Sequence, residues 1–172
     1  MNFATIKKYD IANGLGVRVS LFVSGCTHHC KGCFNEVAWD FTYGKLFSKD
    51  IEAEIIEELK KPMISGLTLL GGEPMEPQNQ RGLIQFLKRV KKELPNKDIW
   101  CYTGYTLETD LLQGKAHIDI TDEFLHLIDV LVDGKFIEEL KDITLKFRGS
   151  SNQRVIDMNQ TLATNQIVLF NL

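Results

Sequence analysis

Short apolar runs alternate along the chain with segments whose apolar residues recur at helical spacing. Runs rich in β-branched and aromatic residues predict strands at 17–23, 66–70, 99–102 and 130–132. Between them, apolar stripes predict a helix that begins after the N-cap Ser48 and ends before Pro62, and further helices at about 80–94 and 122–127. A last strand is expected at 167–170, after a polar stretch at 148–154.

This order of elements indicates an α/β fold. Alternating strands and helices predict mostly parallel strands joined by crossover helices. A closed eight-stranded barrel of this kind needs about 200 to 250 residues, whereas the chain has 172. Because no repeat, low-complexity tract or flexible linker divides the chain, we expect one domain, 1–172, built as a partial, open (β/α) barrel.

Composition narrows the function classes. Hydrophobic residues make up 44% and charged residues 25%, which is typical of a globular protein, and the net charge of −3 does not suggest a general binder of nucleic acid or anionic membranes. No apolar run approaches the roughly 20 residues of a membrane span, and the first residues lack the apolar core of a signal peptide. We therefore expect a cytoplasmic protein whose thiols stay reduced.

Three of the four cysteines lie in one short loop. Cys26, Cys30 and Cys33 have the spacing Cys-x-x-x-Cys-x-x-Cys, which places three thiolates around a compact iron–sulfur cluster and leaves one iron for another ligand. A disulfide would leave one of these thiols unpaired. Zinc is the other alternative, and its fourth ligand would then be His28, His29 or Cys101.

The unusual motifs each follow a predicted strand. The cysteine loop follows the first strand, and the others are Gly71-Gly72-Glu73-Pro74, Thr103-Gly104-Tyr105 and Asp133-Gly134-Lys135. In parallel α/β folds, ligands bind at the carboxyl ends of the strands, so we expect these motifs to form one site. There the glycines would let the backbone approach a ligand, and Glu73 would accept a hydrogen bond from an amino group.

The cysteine loop and the Gly-Gly-Glu segment together resemble the radical S-adenosylmethionine (radical SAM) superfamily. The resemblance implies a shortened form of that family's core, with Cys26, Cys30 and Cys33 binding a [4Fe–4S] cluster whose fourth iron binds SAM. It also implies that Gly71, Gly72 and Glu73 hold the SAM amino group, while Gly32 and Phe34 lie beside the adenine. Many members have an aromatic residue directly before the third cysteine, whereas this chain has Gly32 there and Phe34 after it.

Motifs over about 9–154 are similar to those of the activating proteins of anaerobic (class III) ribonucleotide reductase. Beyond the cysteine loop they are Asp10-Ile11-x-Asn13-Gly14, Trp100-x-Tyr102-Thr103-Gly104-Tyr105, Asp133-Gly134-Lys135 and Arg148-Gly149-Ser150-x-Asn152-Gln153-Arg154. Asp133 and Lys135 also resemble residues of the pyruvate formate-lyase activating enzyme that help bind SAM, so both are candidate SAM contacts. Thr103 is a further candidate because it also ends a strand.

This resemblance implies a specific reaction. A reduced donor protein passes one electron through the cluster to SAM, and the resulting 5′-deoxyadenosyl radical abstracts hydrogen from a glycine of the reductase, leaving a glycyl radical. No catalytic residue is implied beyond the cluster and SAM ligands, and the large partner would cover the open side of the short barrel. The alternatives are another small radical SAM enzyme, with a different protein or small-molecule substrate, and a non-catalytic zinc or electron-transfer module.

Overall fold

The computed structural model describes residues 1–172 and contains seven strands and four α-helices. The strands are β1 (Asn2–Asp10), β2 (Val17–Val23), β3 (Lys45–Leu46), β4 (Ile64–Gly71), β5 (Asp98–Tyr102), β6 (Val130–Asp133) and β7 (Arg154–Asp157). The helices are α1 (Lys49–Leu59), α2 (Pro77–Glu93), α3 (Thr121–His126) and α4 (Met158–Thr164).

All seven strands form one sheet in the order β3-β1-β2-β4-β5-β6-β7. The four central strands, β2, β4, β5 and β6, are parallel and are four of the five strands that the sequence predicts. Both flanks are antiparallel, because β1 pairs with β2 and β3 on one side and β7 pairs with β6 on the other. The predicted α/β class is therefore confirmed with a mixed sheet that is mostly parallel in its core, while closure toward a partial barrel stays a prediction.

The sequence interpretation missed both flanks. In β1 only Phe3 and Asp10 are buried, and the remaining positions alternate between exposed and half-buried, so the strand shows no continuous apolar run. The β7 strand begins inside the polar stretch, at Arg154. The strand expected at 167–170 is wrong, because this segment contributes only a single bridge from Leu169 to Ile156.

The helix boundaries follow local chemistry. Ser48 caps α1 by accepting a hydrogen bond from the backbone N–H of Ile51, as predicted, and α1 ends at Leu59, ahead of Pro62. Helix α2 begins three residues earlier than predicted, with Pro77 in its first turn, where a missing N–H costs nothing. None of the helices is both long enough and apolar enough to cross a membrane.

The main core lies between the helices and one face of the sheet. It contains 28 buried residues, including Cys101 of β5. The opposite face has a small apolar cluster around Trp100, which Phe147 and Phe170 cover at ring-centroid distances of 5.4 Å. This second face, at the carboxyl ends of the central strands, carries the candidate site.

Candidate functional site

A cavity of about 460 Å³ lies at the carboxyl ends of the parallel strands, in the size range of small-molecule sites. Its wall contains nine of the eleven residues predicted from the sequence: Cys26, Cys30, Gly32, Cys33, Phe34, Gly71, Gly72, Glu73 and Thr103. The motifs after β2, β4 and β5 therefore meet at one edge of the sheet, as their strand-end positions predict. Asp133 and Lys135 do not line the cavity, although Gly134 between them does.

Backbone hydrogen bonds join the cysteine loop to the Gly-Gly-Glu segment. The N–H of Gly72 donates to the carbonyl of Val23, and the N–H of Glu73 donates to that of Gly25, both at 2.8 Å. A Cβ atom at position 72 would lie 2.6 Å from the Gly25 carbonyl oxygen and 2.8 Å from that of Ala38. The glycine is thus required by the contact between the two motifs themselves.

The Glu73 side chain is almost fully buried, with 1% of it exposed. One carboxylate oxygen, Oε1, accepts a hydrogen bond from the N–H of Met75 at 2.8 Å. The other, Oε2, accepts from the N–H of Gly104 at 2.7 Å and from Nε2 of His28 at 2.8 Å. Three chain segments that carry predicted motifs therefore converge on one carboxylate in the cavity wall.

The two histidines of the loop have different surroundings. His28, one of the alternative zinc ligands, has a side chain that is only 9% exposed, and its ring packs edge-on against Tyr105 at a centroid distance of 4.4 Å. His29 stacks on Trp39 at the same centroid distance. No three His, Cys, Asp or Glu side chains are gathered as the ligands of a single metal ion.

The thiol environments differ along the loop. Burial, only partly offset by the N–H of His28, raises the pKa of the Cys26 thiol to about 12. Burial also raises the pKa of Cys30, and the positive charge of Lys135 acts against that shift. Metal ligation requires the thiolate and releases the proton, so a cationic cluster would offset the cost of these buried sulfur anions. All three thiols line the cavity, and thiolates are the ligands that hold iron–sulfur clusters, so the donor set fits a [4Fe–4S] cluster.

Asp133 and Lys135 occupy positions that their shared motif does not indicate. Asp133 is buried and accepts hydrogen bonds from the Arg154 guanidinium and from the N–H of Leu107. Lys135 is exposed, and its charge acts on Cys30. The motif therefore places its lysine near the cysteine loop, while its aspartate joins the end of β6 to β7.

Two buried polar side chains of the α2 region also support the loop, and the sequence interpretation missed both. Glu76 accepts hydrogen bonds from the N–H and the hydroxyl of Thr27, at 2.8 and 2.6 Å. The Asn79 amide donates to the carbonyls of Ser24 and Glu73, at 3.0 and 2.9 Å. A signal was present in the sequence, because the polar residue Asn79 lies four positions before Leu83 on the apolar stripe of α2.

Comparisons with known proteins show the family of this chain. The family model described as a 4Fe-4S single cluster domain matches residues 12–156. The chain is 48% identical to the anaerobic ribonucleoside-triphosphate reductase-activating protein of Haemophilus influenzae, over 89% of this chain and 96% of the relative. Proteins of the same name from Pasteurella multocida (46%; 93% and 99% covered) and Escherichia coli K12 (44%; 90% and 97% covered) are similar. The chain therefore belongs to the 4Fe-4S single cluster domain family and, within it, to the family of anaerobic ribonucleoside-triphosphate reductase-activating proteins.

Proposed function

We propose that this protein is the activating enzyme of an anaerobic ribonucleotide reductase and forms the glycyl radical of that partner with a [4Fe–4S] cluster and SAM. The observation that carries the proposal is the cavity itself, which brings three cysteine thiols and the buried Glu73 carboxylate to one edge of the sheet. The names of the similar proteins support the choice of partner.

The cluster is held by Cys26, Cys30 and Cys33. SAM contacts come from the remaining predicted residues of the cavity wall, namely Gly32, Phe34, Gly71, Gly72, Glu73 and Thr103. When bound, cluster and cofactor supply reductive cleavage of a carbon–sulfur bond and the hydrogen abstraction that follows. Lys135 stays a candidate contact because its charge acts on Cys30, whereas the Asp133 side chain is hydrogen-bonded to Arg154.

Exposed apolar side chains at the cavity fit a protein substrate. Ile143 and Phe34 both line the cavity, yet they are 91% and 84% exposed. Large apolar side chains beside a binding site are typical of protein interfaces, where aromatic and aliphatic anchors fill pockets of the partner. The reductase would bury these side chains and shield the cavity, and a reduced donor protein would supply the electron.

The test is anaerobic reconstitution with iron and sulfide, followed by electron paramagnetic resonance with and without SAM. We expect about four irons per chain, a reduced-cluster signal that changes on addition of SAM, and a glycyl-radical signal once purified reductase is present. Bound zinc without labile sulfide would refute the proposal, as would a cluster signal that is indifferent to SAM. If the radical formed on another glycyl-radical enzyme but not on the reductase, the proposed chemistry would stand and the proposed partner would be wrong.

A further inference from the structure

We propose that His28 is a positioning residue for SAM, which sets the orientation of the Glu73 carboxylate relative to the cluster. The inference rests on the proposed function, because it assumes that Glu73 accepts the amino group of SAM. His28 lies between Cys26 and Cys30 in the chain, but its ring contacts a distant residue. Its Nε2 atom lies 2.8 Å from Oε2 of Glu73, which is 45 positions later.

The packing around His28 leaves its ring little freedom. The side chain is only 9% exposed and packs edge-on against Tyr105. A Cβ atom at position 104 would lie 2.7 Å from the imidazole Cδ2 atom, so only glycine there leaves room for the ring. Because a carboxylate only accepts hydrogen bonds, Nε2 must carry the hydrogen and donate it.

The hydrogen-bond inventory of Glu73 indicates what this contact does. A carboxylate offers about four acceptor positions, and three of them are occupied by His28 and the N–H groups of Met75 and Gly104. One position remains for a ligand amino group in the cavity. Through its hydrogen bond, His28 fixes the Glu73 carboxylate to the cysteine loop. The free acceptor position of Glu73 therefore stays at a constant distance from the cluster.

The test is the affinity of the reconstituted protein for SAM, measured by anaerobic titration calorimetry, with iron and sulfide counted in every variant. His28→Phe keeps a planar ring against Tyr105 and removes the N–H. Since a hydrogen bond to a charged group is worth at least a factor of ten, we expect the dissociation constant for SAM to rise about tenfold. His29→Phe is the matched control, because His29 stacks on Trp39 and makes no hydrogen bond to Glu73; we expect less than a twofold change.

Two further variants isolate the pair. His28→Gln places an amide N–H near the position of Nε2 and should restore affinity to within about threefold of wild type. In a Glu73→Ala background, which offers Nε2 of His28 no side-chain acceptor, His28→Phe should cost less than a further twofold, because the first change has already removed the hydrogen bond. An unchanged affinity in His28→Phe, an undiminished tenfold loss in the Glu73→Ala background, or a loss of iron in His28→Phe would each overturn the inference. Failure of the wild-type protein to bind SAM would instead refute the proposed function.

Discussion

The Arg154 guanidinium links two carboxylates from different parts of the chain. Its Nε atom donates to Oδ1 of the buried Asp133 at 2.9 Å. Its two terminal nitrogens donate to both oxygens of Glu108, at 2.9 and 2.6 Å. The antiparallel edge strand β7 is thereby joined to the end of β6 and to the π-helical turn Leu107–Leu111, directly beside the cavity.

We expect Asp133→Asn to destabilise the protein and to leave SAM binding nearly unchanged. Arg154 is 30% exposed and keeps its hydrogen bonds to Glu108, so the cost comes from weakening its charge-assisted hydrogen bonds to the buried Asp133, about 1.5 to 3 kcal/mol of unfolding free energy. Urea unfolding and SAM titration of the reconstituted protein measure the two effects. Asp119→Asn, which removes an exposed ion pair with Arg81, is the control and should cost less than about 0.5 kcal/mol. If Asp133→Asn were as stable as wild type but bound SAM more weakly, the Asp133 side chain would contact SAM directly.

Glu108 should contribute stability that depends on pH. The hydrogen bonds from Arg154 hold the pKa of Glu108 below its ordinary value. A carboxyl group with a lowered folded-state pKa stabilises the fold above its unfolded pKa of about 4.3, and this contribution disappears as pH falls through the folded value. The free energy of unfolding of the wild-type protein should therefore be about 0.5 to 1 kcal/mol higher than that of Glu108→Gln at pH 7, because solvent screening limits the contribution of a partly exposed ion pair.

Urea unfolding of the metal-free proteins at pH 7 and near pH 3 measures this difference. The two stabilities should converge at the acidic pH. A difference that persists at pH 3 would mean that packing, rather than the charge of Glu108, is responsible.

Arg18→Lys should destabilise the face of the sheet that carries the Trp100 cluster. The Arg18 side chain is fully buried and donates to the Thr68 hydroxyl and to the carbonyls of Leu15 and Leu67, at 2.7 to 3.0 Å. Lysine has one nitrogen in place of this planar fork and leaves acceptors unpaired. We expect a loss of about 2 to 4 kcal/mol in urea unfolding, against little change for the exposed Arg81→Lys. Equal stabilities of the wild-type protein and Arg18→Lys would show that lysine and water satisfy the acceptors that the Arg18 guanidinium binds.

Gly72→Ala should separate the two motifs of the site. The added methyl group would meet two backbone carbonyl oxygens, Gly25 O and Ala38 O, and backbone yields less readily than a side chain. We expect reduced iron incorporation and at least tenfold weaker SAM binding, since the cysteine loop must move. Gly82→Ala is the control, because its methyl group meets only the side chain of the terminal Met1. Full cluster content and SAM affinity in Gly72→Ala would contradict the close-packing explanation.

Ile143→Ser should weaken the complex with the reductase without changing SAM affinity. Truncation of an apolar anchor typically costs more than 1 kcal/mol of binding free energy, so we expect the dissociation constant for the reductase to rise about five- to tenfold. Met63→Ser is the matched control, because Met63 is 57% exposed and directly precedes β4, at the end of the sheet opposite Glu73. Equal effects of both variants, or none, would place the interface elsewhere.

The sequence predicts the centre of the fold well because the four central strands are short runs dominated by apolar residues. It predicts the flanks poorly. In β1, one face meets solvent, so charged residues such as Lys7 interrupt the pattern, and β7 has only two apolar residues, between Arg154 and Asp157. The strand-end rule also placed Glu73 and Asp133 in the same site. The side chain of Asp133 instead pairs with Arg154, a contact across a strand pair that the sequence interpretation did not include.

By itself, the sequence determined the thiol spacing, the glycines after β4 and the parallel direction of the central strands. The first two depend on residues that are neighbours in the chain. The third follows from the alternation of strands and helices along the chain. Only the tertiary structure decided that His28, Glu73 and Gly104 share one hydrogen-bond network, and that Asp133 belongs to Arg154. Those hydrogen bonds join residues that are 21 to 45 positions apart in the chain. They exist only once strand pairing has brought the strand ends side by side.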